Sequence, residues 1–157
     1  SELDFAKVPF QKMPAGSVLQ VVSATYGGYT SITTGTYADT GLSASITPSS
    51  ASSKILVLVF QPARVYSTNG TAQASANLVR TSTQLAETSF GFTQLGDAGT
   101  PVFASQVSIS WLDSPATTSS VTYKTQGKLN AGDTVNYNAS IVGGTFTSTI
   151  TLMEIAG

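Results

Sequence analysis

The chain has 157 residues, enough for one well-buried domain and too few for two comfortable ones. Charged residues are only 10% of it and the formal net charge is −1, while 22 Ser and 23 Thr make 45 of the 157 residues, so the surface is expected to be uncharged and rich in hydroxyls. Seven scattered basic residues form no stripe that could neutralise a run of phosphates, and no apolar stretch approaches the roughly 20 residues that span a bilayer, so neither nucleic acid nor a membrane is an expected partner.

Residues 1–16 read as a short extended arm. They hold four of the fifteen charges, Glu2, Asp4, Lys7 and Lys12, and Pro9 and Pro14 interrupt regular structure. Leu3, Phe5, Val8, Phe10 and Met13 are large apolar groups for which a solvated tail has no use, so the arm is expected to dock on a neighbour or on its own domain. Residues 17–157 form the domain. Ser1 fits the trimming of an initiator Met before a small residue, and no apolar signal-peptide core follows it, so a complete, soluble mature chain is expected.

From Val18 onward the pattern is one of successive strands with no helical period. Val18 to Ala24 is the first, broken by Tyr26-Gly27-Gly28-Tyr29. Leu42, Ala44 and Ile46 alternate with Ser43, Ser45 and Thr47 until Pro48. Ile55 to Phe60 is apolar at every position, which predicts a strand covered on both faces, by the core and by a second protomer. Ile55, Val57 and Val59 are its candidate interface residues. Ala72 to Leu78 and Gln84 to Phe92 give two further strands, and Gln94 to Pro101 a loop. Phe103, Val107, Ile109 and Trp111 alternate with small polar residues, which puts Trp111 on a core face, and Asp113-Ser114-Pro115 turns the chain. Val121 and Tyr123, then Val135 and Tyr137, mark two more strands, and Ile150 and Leu152 close the sheet. Eight or nine short strands separated by turn residues predict an all-β fold, an antiparallel β-sandwich or jelly roll.

Two segments carry a resemblance. Leu129-Asn130-Ala131-Gly132-Asp133-Thr134-Val135 reads as a hairpin with a Gly-Asp turn between two alternating strands, Gly132 supplying positive φ and Asp133 a capping carboxylate, and a closing strand follows at Ser148 to Ile155. This ending resembles that of trimeric jelly rolls of the tumour necrosis factor and complement-head type. The segment Asp39 to Val59 is similar to one that recurs in bacteriophage fibre-tip and virion-surface domains. What the resemblance implies is a homotrimer on the surface of a virion.

Chemistry is sparsely represented. Histidine and cysteine are both absent, which removes the commonest general base, the commonest transition-metal ligand and the most reactive nucleophile. The acids sit mostly at turns or in the arm, and Asp97 in Leu95-Gly96-Asp97-Ala98-Gly99 is the only residue with a suggestion of calcium ligation. No enzyme, metal site or cofactor is expected. The first functional expectation is a capsid decoration or cement protein, a trimer whose arm clamps it to the major capsid protein. The second is the knob of a tail fibre, held by tail proteins and recognising a host-surface glycan with loop residues such as Tyr26, Tyr29, Tyr66, Asn69 and Phe92.

Overall fold

The computed structural model describes residues 13–68, 70–93, 102–139 and 144–157. Among these the regular structure is all strand, in chain order β1 (Val18–Tyr26), β2 (Thr30–Ile32), β3 (Ala38–Ile46), β4 (Lys54–Tyr66), β5 (Thr71–Arg80), β6 (Thr83–Thr93), β7 (Val102–Asp113), β8 (Val121–Ala131), β9 (Thr134–Tyr137) and β10 (Ser148–Ile155). Leu3, Phe5, Val8 and Phe10 of the arm lie outside the described residues, as do Asn69, Asp97 and the Phe92 side chain.

The strands form two antiparallel sheets. In the larger, β1, β10, β4 and β7 lie side by side, and β9 with β2 continues beyond β10 along the same edge of β4. The smaller has the order β3-β8-β5-β6. The pairing is nested: β1 with β10, β3 with β8, β4 with β7 and β5 with β6. Nesting brings both ends of the described chain together, where Gly16 N donates to Ala156 O at 2.8 Å and Ala156 N to Ser17 O at 2.8 Å. The connection from β3 to β4 and that from β7 to β8 share this end, here called the base. The end of β4 and the turn from β8 to β9 lie at the opposite end, the apex, while the β1–β2 loop and the segment after β9 meet along the side, at the break between β10 and β9 beside Pro62 of β4.

Strand parity sets the core. Because successive side chains point to opposite faces, Leu42 and Ile46 of β3, Ala74 and Leu78 of β5, Tyr123 of β8 and Ile150 and Leu152 of β10 meet between the sheets. The apolar run in β4 obeys the same rule and corrects the expected interface. Ile55, Val57 and Val59 are buried within this one chain, facing the smaller sheet, so they cannot meet a second protomer. Their neighbours Leu56, Leu58 and Phe60 point outward.

The Gly-Asp turn is also corrected. Gly132 has φ +100°, and a side chain there would crowd Tyr66 O and Ala72. The turn does not close a hairpin, however, because β8 belongs to the smaller sheet and β9 pairs with β4 and β2 in the larger. Asp133 accordingly ties the crossing to the end of β4, its N–H donating to Tyr66 O at 3.0 Å and its Oδ2 accepting from Thr68 N at 2.6 Å. Trp111 keeps the inward parity expected of it, yet it is substantially exposed near the base end of edge strand β7.

Polar groups inside the sandwich are bonded to one another. Gln61, Thr40 and Thr125, all fully buried, form a triangle in which Thr125 Oγ1 donates to Gln61 Oε1 at 2.8 Å and Gln61 Nε2 to Thr40 Oγ1 at 3.0 Å. It joins β3 and β8 of one sheet to β4 of the other. At the base end, Asp113 of β7 accepts Arg80 Nη1 at 3.0 and 2.8 Å and the Tyr123 hydroxyl at 2.7 Å, a second tie between the sheets. Burial, then the Asp113 hydrogen bond, pushes the Tyr123 phenol well above its ordinary value, so it stays a donor.

Candidate functional site

The outward face of the larger sheet is the most distinctive surface of the molecule. Register places Val21 of β1 beside Met153 of β10, Met153 beside Leu56 of β4, and Leu56 beside Leu112 of β7. An apolar row thus runs across four adjacent strands, and Val21 and Leu112 at its ends are 56% and 52% exposed. The next row toward the apex is Ser23, Thr151, Leu58 and Ser110, and the one beyond it Thr25, Thr149, Phe60 and Ser108. Leu58 and Phe60 are exposed on β4. Between Lys54 at one end of β4 and Arg64 near the other, no described side chain on this face carries a charge.

The outward face of the smaller sheet is built differently. Lys124 Nζ meets Asp39 at 2.8 Å, Lys128 Nζ meets Glu87 at 3.5 Å, and Lys128 also stands 4.5 Å over the Tyr37 ring. Hydrogen bonding from Lys124 holds the Asp39 carboxyl below the usual range. One face of the sandwich therefore keeps its charges paired in water, while the other offers large apolar groups and hydroxyls to whatever covers it.

Of the loop aromatics expected to recognise a ligand, the structure separates two. The Tyr26 ring is folded against Gly28 and Gly41 and packs on the core, so it is a structural residue. Tyr29 is 50% exposed on the β1–β2 loop. Phe146, which the strand pattern gave no reason to single out, is 51% exposed on the loop facing it. Asn138 joins the two loops: its Nδ2 donates to Gly28 O at 2.6 Å and its O accepts from Phe146 N at 2.9 Å. Its Oδ1 takes the Ser148 hydroxyl, and its backbone holds a φ of +60°. Being fully buried, Asn138 is unavailable as a glycosylation acceptor in the folded chain despite its Asn-Ala-Ser context.

At the base, Glu154 is fully buried with no cation beside it among the described residues. It accepts Ser49 N and Oγ, each at 2.7 Å, and Gln20 Nε2 at 2.6 Å. Burial by itself raises its pKa, but these hydrogen bonds to the ionised form prevail and hold it below the ordinary value. Met13, the one apolar anchor residue of the arm that is described, lines a cleft of about 180 Å³ alongside Leu19, Ser50 and Gly157. No cluster of three or more acidic groups with metal-ligand geometry occurs among the described residues.

No known protein family matches the chain, and no curated protein is similar to it. Among solved structures it is similar to a chain in the structure of infectious bursal disease virus Gt strain, at 13% identity and a TM-score of 0.30. That likeness covers 91% of this chain, which spans 39% of the length of the viral one.

Proposed function

We propose that the chain is a non-enzymatic structural protein of a virion surface, a capsid decoration protein that trimerises through the outward face of its larger sheet and is anchored by residues 1–16. The observation that carries this reading is the uncharged face with its apolar row Val21-Met153-Leu56-Leu112, set against a charged face on the other sheet. Burying such side chains is worth about 1.5–3 kcal/mol each, and copies of the same chain are the covering surface this reading assigns. The number three follows the resemblance to trimeric jelly rolls. Nested pairing of first with last strand, second with penultimate and so inward supports a jelly roll, since it is the pattern of one long hairpin rolled over itself. An arm leaving the base next to the C-terminus suits attachment at one end, to the major capsid protein. A bridging trimer then stabilises the shell by mass action.

Tyr29 and Phe146 favour a second reading, a tail-fibre knob. Two half-exposed aromatic rings on tied loops at the side of the sandwich, away from the base, suit stacking on a host glycan. Particles lacking the chain separate the two. Decoration requires that they still adsorb to cells but lose genome or capsid integrity at a lower temperature. Lost adsorption with unchanged capsid heat stability would reject decoration in favour of the knob.

A further inference from the structure

An edge strand offers unpaired N–H and C=O groups to any other strand, and natural sheets blunt their edges by shortness, bulges, charges or proline. Among the described residues, four of the five edges are treated in this way. β2 is three residues long. β1 is bulged between Val18 and Gln20, β3 between Asp39 and Ser43, and β6 at Leu85, where Leu78 and Val79 of β5 pair with Ala86 and Gln84. β3 and β6 also carry Asp39 and Glu87.

β7 has none of these devices. Its twelve residues pair with β4 in unbroken register from Val102↔Tyr66 to Asp113↔Ile55. From Val102 to Leu112 it contains no charge and no proline, and its one charged residue, Asp113, is engaged by Arg80 and Tyr123. Among the described residues no strand pairs with its other edge. Val107 and Ile109 fix its inward face, while Gln106, Ser108 and Ser110 stand exposed.

We propose that this edge is an interface between two copies of the chain, pairing β7 antiparallel with β7 of a second copy about a two-fold axis at Ser108. The symmetry selects the occupant. An antiparallel strand that meets itself sets each residue opposite its own mirror position, so a charged edge repels its copy and an uncharged one does not. Centred on Ser108, the pairing sets Gln106 opposite Ser110, Val107 opposite Ile109 and Ala104 opposite Leu112, with no charge in any pair from Ala104 to Leu112, while Asp113, already held by Arg80 and Tyr123, falls opposite Phe103. This contact uses the backbone edge of β7, whereas Ser108, Ser110 and Leu112 turn their side chains to the outward sheet face, and it joins assemblies built through that face.

The chain has no cysteine, so a single introduced thiol reports the register without background. Directly opposed antiparallel residues have Cα atoms about 4.5–5.5 Å apart, within the range a disulfide spans. Under mild oxidation, Ser108→Cys is expected to convert to a covalent dimer. Gln106→Cys and Ser110→Cys should each stay reduced alone and link to one another when mixed. All three side chains are exposed, and unchanged thermal melting of the reduced variants checks that the fold is intact. A Ser108→Cys protein that remains a free thiol overturns the proposal, whether the edge is open or reserved for a foreign strand. So does Gln106→Cys linking to itself as readily as to Ser110→Cys, because a threefold contact through the sheet face has no antiparallel register to select between them.

Discussion

Asp113 shows how much a single side chain carries in this fold. It closes the β7 end of the sandwich by taking both Arg80 and the Tyr123 hydroxyl, each from the smaller sheet. Asp113→Asn leaves the guanidinium without its counter-charge and should cost about 2 kcal/mol in denaturant unfolding, whereas Tyr123→Phe removes one hydrogen bond and should cost about 1 kcal/mol. Equal costs would mean that the charge contributes nothing beyond its hydrogen bonds. Glu154 links stability to pH at the opposite corner of the base. Its folded pKa lies below the ordinary value of about 4.3, so its contribution is complete above that pH and is withdrawn as acid protonates the folded carboxyl. The melting temperature should therefore fall on acidification below about pH 4.3, and Glu154→Gln should flatten that limb; an unchanged limb in the variant would assign it to Asp39 and the other acids.

At the scale of elements, the sandwich and most of its strands were legible in the sequence because period-two alternation is local, whereas the three-residue β2 is too short to show any period and brings the described strands to ten against the eight or nine expected. Leu42-Ala44-Ile46 and Phe103 to Trp111 announce themselves without knowledge of any partner. The face presented by Ile55 to Phe60 was not legible, since a run apolar at every position has no parity of its own. Only pairing with β10 and β7 turns Ile55, Val57 and Val59 inward and Leu56, Leu58 and Phe60 outward. The same holds for Gly132-Asp133, where local turn chemistry is correct but the partner of the following strand is set by the whole fold. Phe146 and Asn138 carry no sequence signal because their roles depend on two loops meeting. A direct consequence concerns the outward row. Leu56→Lys places an ammonium in the middle of it and should dissociate the proposed trimer into folded single chains, while Ser45→Lys on the charged sheet should leave that trimer intact. Size-exclusion chromatography with light scattering distinguishes the two.

At the scale of the molecule, two unlike faces and a polarity of ends define what the sandwich is suited to do. The charged sheet keeps its ions paired at the surface, the other sheet exposes hydroxyls and apolar groups, and the described residues begin and end at the base. The self-association proposed above would account for a small domain with so few charges that exposes Val21, Leu58, Phe60 and Leu112 on one surface, obligate interfaces burying about 2,000 Å² or more. The native mass of the purified chain is the most direct measurement of this claim. Sedimentation equilibrium at micromolar concentration should give three chains, or a multiple of three where β7 edges also pair. A cooperatively folded, concentration-independent single chain would contradict the account.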